Sequence, residues 1–136
     1  MLKIFSIMSR ILLGLTYLWV VGDRLGLLGE AGNMGVVWGN FQSFLDYTAT
    51  LNPWFPRGLS DFLGYLVTGI EIILGVMFLI GMRLRLVSLA SLGLLIIFTL
   101  SMLLSLGWSS AYDFIIFTLV LASLSLGIWK IERVQS

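Results

Sequence analysis

The chain has 136 residues, of which 59% are hydrophobic and 11% are charged, and its mean hydropathy is +1.04. Soluble domains are about 45–50% apolar and about 25% charged, so this composition excludes an ordinary soluble domain and indicates an integral membrane protein. The net charge of +1 lacks the basic excess of nucleic-acid-binding proteins, which excludes nucleic acid as a partner.

A hydrophobic run that starts at Ile4 predicts a first membrane span over about residues 4–24. Arg10 interrupts this run, and Asp23 and Arg24 close it. Helical spacing places both arginines near one face of the helix, one toward each end.

The only long connection follows, and it contains a predicted amphipathic helix over about residues 35–48. Its apolar side chains recur at helical spacing, with polar side chains opposite them. The polar side lacks the Lys and Arg residues of helices that bind anionic lipid, so we expect this helix to pack on the spans. The apolar stripe consists of Met34, Val37, Trp38, Phe41, Phe44, Leu45 and Thr48.

Three further spans are predicted over about residues 61–81, 85–106 and 111–129. Ser60 is the predicted N-cap of the second span, and Ser110 with Asp113 forms a predicted capping box for the fourth. The short reversals between spans favour antiparallel neighbours. The predicted fold is therefore all-α: a single-domain, four-helix membrane bundle with a short amphipathic helix between the first two spans.

Basic residues predict the orientation of the bundle. Lys3, Arg83, Arg85, Lys130 and Arg133 all fall on one side of the membrane, with only Arg24 and Arg57 on the other. The positive-inside rule therefore places both termini in the cytoplasm and the amphipathic helix on the outer face.

Glu71 lies in the middle of the second span, where a charge costs at least about 2.5–3.5 kcal/mol, so we expect it to face another helix rather than lipid. Gly64 and Gly75 share its face and allow close helix approach. The rise per residue puts Arg10 about 9 Å deep and Glu71 about 15 Å deep, which makes an Arg10–Glu71 pair feasible. This pair is either a clamp between two helices or a functional proton or substrate site.

Two further groups of residues lie at the predicted outer end. Asp23, Arg24, Asp61 and Asp113 form a predicted polar cluster. Such residues are either ordinary helix ends or the polar mouth of a pocket for a flat lipophilic ring, such as a quinone. The aromatic residues that would line this pocket are also common at bilayer interfaces. They are Tyr17, Trp19, Trp38, Tyr65 and Trp108.

Ordered short motifs resemble the DoxX-like family of small four-span bacterial membrane proteins over about residues 8–128. They are Arg10-Ile-Leu-Leu-Gly14, Gly22-Asp-Arg24-Leu25, Asn52-Pro53, Gly64, Glu71-Ile-Ile-Leu-Gly75, Gly81-Met-Arg83-Leu-Arg85 and Tyr112-Asp113. The family usually has lysine at the position of Arg24, and Arg differs from Lys in hydrogen-bond geometry. The resemblance implies the bacterial cytoplasmic membrane, and relatives include membrane subunits of thiosulfate:quinone oxidoreductase.

Three functions follow as hypotheses. The first is a non-catalytic membrane subunit or anchor whose partner is another membrane or periplasmic protein, or a second copy of the chain. The second is a quinone-binding component of an oxidoreductase, and the third is a small proton-coupled carrier built on Glu71 and Arg10. The chain has no Cys and no His, so no Cys or His metal site is expected. Electrons would have to come from a partner or a bound cofactor. No intrinsic cofactor is expected, and the expected ligands are a quinone or a lipid.

Overall fold

The computed structural model describes residues 2–34 and 36–135, without the side chains of Leu2, Ser110, Ala111 and Gln135. The predicted capping contact of Ser110 and the predicted helix start at Gly35 therefore lie outside the described residues. The described part of the chain forms helices α1 (Leu2–Arg24), α2 (Phe41–Leu51), α3 (Arg57–Ile80), α4 (Leu84–Ser105) and α5 (Trp108–Gln135).

The fold is the predicted all-helical membrane bundle. Four of the described helices are long and apolar enough to cross a bilayer, over Lys3–Arg24, Arg57–Ile80, Leu84–Ser105 and Tyr112–Val134. Helix α1 packs mainly on α3, α4 packs mainly on α5, and α1 also contacts α5. The short helix α2 lies on α3 and α4 at the end of the bundle where α1 stops. We call this end, with the connections on either side of α2, the cap end.

Glycine brings α1 and α3 together. A Cβ on Gly14 would lie 2.9 Å from the carbonyl oxygen of Gly75 and 2.8 Å from Leu79. Since real Cβ atoms essentially never approach this closely, the absence of a side chain sets the separation of the two helices.

Hydroxyl pairs join α4 and α5. Ser91 is 2.8 Å from Ser125, and Thr99 is 2.8 Å from Thr118, oxygen to oxygen. All four side chains are buried. Three of these hydroxyls also lie within hydrogen-bond distance of a carbonyl of their own helix, and Ser91 instead bonds the Tyr17 hydroxyl. The contact therefore leaves few polar groups unsatisfied inside the bundle.

The amphipathic helix is present, but α2 begins at Phe41 rather than near residue 35. Asn40 is its N-cap and accepts a 2.8 Å hydrogen bond from the Ser43 N–H. The residues just before Asn40 donate their backbone N–H groups to the side chain of Asp23, and Gly39 has a φ of +72°. That geometry is incompatible with a continuous helix, so the predicted stripe is split between a loop and α2.

Helix α3 begins earlier than predicted. Pro56 precedes Arg57 as the N-cap residue, and a proline at a helix start loses no helical hydrogen bond. Ser60 is therefore one turn inside the helix, fully buried, rather than its cap. At the other end Gly81 adopts φ +84° and terminates α3.

Candidate functional site

A buried ion pair joins α1 to α3. The Arg24 guanidinium donates to the Glu71 carboxylate at 2.5 and 3.3 Å, and it also donates to the Thr68 hydroxyl at 3.3 Å. Glu71 is 3% exposed and Arg24 is 5% exposed. The carboxylate thus faces a neighbouring helix, and its charge is matched where water is excluded.

The predicted partner of Glu71 was wrong, because Arg24 rather than Arg10 forms the pair. Gly14 lies opposite Gly75, so Glu71 is level with about residue 18 of α1. At 1.5 Å per residue, Arg24 is about 9 Å along the axis and Arg10 about 12 Å in the other direction. Side chains tilt toward the N-terminus of their helix, which brings Arg24 and Glu71 together across antiparallel helices and turns Arg10 away.

Arg10 lies instead at the end of the bundle opposite the cap end. Its guanidinium packs against Gly81, where an added Cβ would overlap it, and its Nε is buried without a hydrogen-bond partner among the described residues. The carrier hypothesis therefore loses the paired Arg10–Glu71 geometry on which it was built.

Asp23 fastens the loop before α2 to the end of α1. Its carboxylate accepts hydrogen bonds from the backbone N–H groups of Val37 at 2.8 Å, Trp38 at 3.1 Å and Gly39 at 2.9 Å. Asp23 is 4% exposed, so this charge is satisfied by the backbone rather than by a cation. Adjacent residues of α1 thus have separate tasks: Asp23 holds the loop and Arg24 holds α3.

A cavity of about 500 Å³ lies beneath this loop, between α1, α2, α4 and α5. Arg24, Glu71 and Asp23 contribute to its walls, and Asp113 lies on its exposed side. The rest of the lining is mainly aromatic and aliphatic, which is typical of sites for small lipophilic molecules. The aromatic residues are Tyr17, Trp19, Trp38, Phe44, Tyr47, Phe98, Phe114 and Phe117.

Aromatic contacts build the wall nearest α2. The ring centroids of Trp38 and Tyr47 are 4.8 Å apart, and Phe114 lies 5.8 Å from Tyr47 and 6.2 Å from Trp38. The Arg24 guanidinium lies 3.8 Å from the ring centroid of Phe44, a cation–π distance. Rings from α2, α5 and the loop therefore form one aromatic cluster, in which Phe44 packs against Trp38 and covers Arg24.

Three of the five predicted pocket aromatics, Tyr17, Trp19 and Trp38, line the cavity. Tyr65 is 62% exposed and packs against Phe41 outside it, and Trp108 is 54% exposed at the start of α5. Tyr65 and Trp108 thus do not belong to the cavity wall.

The predicted polar cluster is divided in the same way. Asp23, Arg24 and Asp113 all line the cavity. Asp61 instead accepts a 2.8 Å bond from Arg57, which also donates to Asp46 at 2.6 Å. Arg57 and Asp46 are exposed and Asp61 is half-buried. The bond from Arg57 holds the pKa of Asp46 below its usual range.

Sequence reasoning missed two polar features of the site. The Tyr17 hydroxyl bonds Ser91 at 2.6 Å, which extends the Ser91–Ser125 contact toward the cavity. The Tyr47 hydroxyl is buried without a hydrogen-bond partner, and burial raises the pKa of Tyr47. The spacing of Tyr47 from Phe44 and Thr48 could have placed it near the buried face of α2, but no sequence signal reports an unpaired hydroxyl.

Nearly the whole chain matches a known protein family. The family described as "Methylamine utilisation protein MauE" matches residues 2–130. The chain belongs to the MauE family. The DoxX-like resemblance was wrong, because the family that matches residues 2–130 is MauE. No curated protein and no solved structure matches the chain. The family and the four apolar helices identify a multi-pass membrane protein.

Proposed function

We propose that this member of the MauE family is a non-catalytic accessory protein of a methylamine utilisation system, and that it holds a partner protein at its cap end. The family match over residues 2–130 carries the proposal. An accessory role also fits the absence of Cys and His from the sequence, since the chain supplies no thiol and no imidazole for catalysis.

The cap end supports docking because it combines order with exposed apolar side chains. Leu27 is 75% exposed, Met34 is 98% exposed and Trp54 is 56% exposed, and all three lie outside the four candidate spans. The Asp23 bonds to residues 37–39 and the Arg57 bond to Asp46 of α2 hold the surrounding backbone in place. A preorganised apolar surface loses little conformational entropy when a partner covers it.

The test is growth and complementation. Deleting the gene should slow growth of the source organism on methylamine and leave growth on ammonium and succinate unchanged. Wild-type protein and the Val134→Ser variant should restore growth, because Val134 is 76% exposed at the opposite end. The double variant Leu27→Ser with Met34→Ser should restore it poorly although its membrane level is normal. A deletion strain that consumes methylamine at the wild-type rate contradicts the proposal.

The predicted orientation places the docking surface outside the cytoplasm. Since the 136-residue sequence has no cysteine, one introduced cysteine is its only thiol. Glu30→Cys should react with a membrane-impermeant maleimide in intact cells, and Lys130→Cys should react only after permeabilisation. The reverse pattern would place the partner on the cytoplasmic side.

A further inference from the structure

The cavity of about 500 Å³ beneath the loop has a polar end and an apolar end. Its lining runs from Arg24 to Thr16 on α1 and from Asp113 to Leu121 on α5. Each stretch is about 12 Å long, since a helix rises about 1.5 Å per residue. Apart from the α1–α3 ion pair, the charged lining residues are Asp23 and Asp113, both at the cap end, and the deeper lining is neutral and mainly apolar. This arrangement suits an amphiphile that lies along the helices with its head toward the cap end.

The charge of the cavity wall selects the sign of that head. Three carboxylates, those of Asp23, Glu71 and Asp113, line the cavity with one guanidinium, that of Arg24. Glu71 neutralises Arg24, and the backbone N–H groups that bind Asp23 bring no net charge. Asp113 is exposed, and none of the ion pairs found among the described residues includes it. The wall is therefore negative overall, so it attracts a cationic head and repels an anionic one.

Three aromatic side chains meet next to Asp113. Phe114 follows Asp113 in α5, and its ring centroid lies 6.2 Å from that of Trp38 and 5.8 Å from that of Tyr47. Trp38 and Tyr47 are themselves 4.8 Å apart, and all three residues line the cavity. An organic ammonium group is attracted both to aromatic rings and to carboxylates. The polar end of the cavity combines these two kinds of group.

We propose that the cavity binds a lipophilic ammonium compound, with its ammonium group at Asp113 and the neighbouring aromatic rings and its apolar body extending toward Leu121. Two membrane-soluble sources carry this chemistry: a free alkylammonium compound and the choline head group of a phospholipid. The inference goes beyond the partner-holding role, because Leu27 and Met34 of the cap-end surface are not part of the cavity wall. Either role can therefore fail without the other.

The experiment measures ligand binding by the purified full-length protein in a neutral detergent. The ammonium probes are octyltrimethylammonium, whose charge does not depend on pH, and dioctanoylphosphatidylcholine. Three control probes each lack one property: tert-butyloctane is the uncharged isostere, octanesulfonate has the opposite charge, and tetramethylammonium has no apolar body. Trp19 and Trp38 line the cavity, so binding is followed by tryptophan fluorescence and by the shift in Tm. An ammonium probe should bind saturably and raise Tm, and the control probes should bind at least about tenfold more weakly.

The Asp113→Asn variant tests the carboxylate, because it keeps the shape of the side chain and removes its charge. Its affinity for the ammonium probe should fall about two- to fivefold, the usual effect of one partly screened charge pair. Glu30→Gln is the matched control, since Glu30 is exposed at the cap end and does not line the cavity. Without ligand, both variants should unfold at the wild-type Tm, which shows that they are folded.

The Phe114→Leu variant tests the aromatic rings, because it keeps an apolar side chain and removes one ring. Its affinity for the ammonium probe should also fall about two- to fivefold. Phe62→Leu is the matched control, since Phe62 is 59% exposed on α3 and does not line the cavity.

Each outcome decides the proposal. Saturable binding of octyltrimethylammonium or of dioctanoylphosphatidylcholine supports the site, and the probe that binds names the source of the ammonium group. The proposal is overturned if neither ammonium probe binds, or if tert-butyloctane or octanesulfonate binds equally well. It is also overturned if Asp113→Asn binds as tightly as Glu30→Gln, or Phe114→Leu as tightly as Phe62→Leu.

Discussion

The α1–α3 contact and the α4–α5 contact join apolar helices by different means. Between α1 and α3, the backbones meet at Gly14 and Gly75, and a full ion pair closes the contact toward the cap end. Between α4 and α5, neutral hydroxyl pairs lie at intervals along a contact whose helices are apolar on most sides. The first contact concentrates its polar interactions at one level, and the second distributes them.

This difference matters because a charged side chain and a neutral hydroxyl are destabilised to different degrees when their hydrogen-bond partner is removed. A buried hydroxyl without its neighbour still bonds to a carbonyl of its own helix, as Thr99 does with Leu95. A buried guanidinium without its carboxylate keeps its bond to Thr68, but that neutral hydroxyl does not balance its charge. The α1–α3 contact is therefore specific and vulnerable, whereas the α4–α5 contact tolerates substitution. The cavity lies beside the vulnerable contact.

The largest effect should come from breaking the ion pair. Glu71→Met or Arg24→Met alone should each cost about 3–5 kcal/mol, because each leaves a buried charge uncompensated. The double variant should lose much less than the sum of the two. Thermal unfolding in detergent measures all three, with Lys130→Met as the exposed control. Strictly additive losses would show that the two side chains do not act as a pair.

The next effect tests the glycine contact. Gly14→Ala should cost about 1–3 kcal/mol, since its Cβ would collide with Leu79 and the Gly75 carbonyl. Gly93→Ala in α4 is the matched control, because nothing lies within 4 Å of its Cβ position. That control should gain up to about 1 kcal/mol from helix propensity. Equal shifts in Tm for the two variants would rule out close packing as the reason for Gly14.

A smaller loss is expected at the α4–α5 contact. Thr99→Val should cost about 0.6 kcal/mol, the average measured for such side-chain hydrogen bonds within membranes. Combining it with Thr118→Val should add little, because both changes remove one shared bond. If the single change destabilises as strongly as Glu71→Met, the contrast between the two contacts fails.

The smallest effect concerns an ion pair in water rather than inside the bundle. Hydrogen bonds from Arg57 and then Gln42 lower the pKa of Asp46. Its contribution to stability is therefore present above the pKa of an unfolded aspartate and is lost as pH falls through the lower folded value. Wild type should lose slightly more Tm than Asp46→Asn on acidification through that window. If the two proteins lose the same Tm, or if Asp46→Asn loses more than wild type, the exposed pair contributes nothing.

The architecture was predictable because hydropathy and length are properties of each span by itself. The inward direction of Glu71 was predictable too, since lipid contact costs more than any helix contact at that depth. Its partner was not, because depth in the membrane gives the level of a residue and omits the direction of its side chain. Once Cβ tilt is included, Arg24 becomes the better candidate and Arg10 the worse one.

The cavity was predictable only in part. The enrichment of aromatic residues at bilayer interfaces predicts Tyr17, Trp19 and Trp38 near the outer end of the spans. It predicts Tyr65 and Trp108 there equally well, and these two lie outside the wall. The position of α2 decides which of these aromatic residues line the cavity. That position depends on Asp23, which accepts hydrogen bonds from three backbone N–H groups 14 to 16 residues away. No local pattern encodes a carboxylate that organises a distant loop.

Because Asp23 and Arg24 are consecutive, the roof of the cavity and its floor share one backbone segment. Lifting the strip of residues 37–39 would either sever its bonds to Asp23 or drag the last turn of α1 with it, and the second course would unseat Arg24 from Glu71. The exposed side of the cavity, at Asp113, is a route that leaves this segment in place. Entry of a ligand through the loop at residues 37–39 would therefore change the position of Arg24 relative to Glu71 of α3.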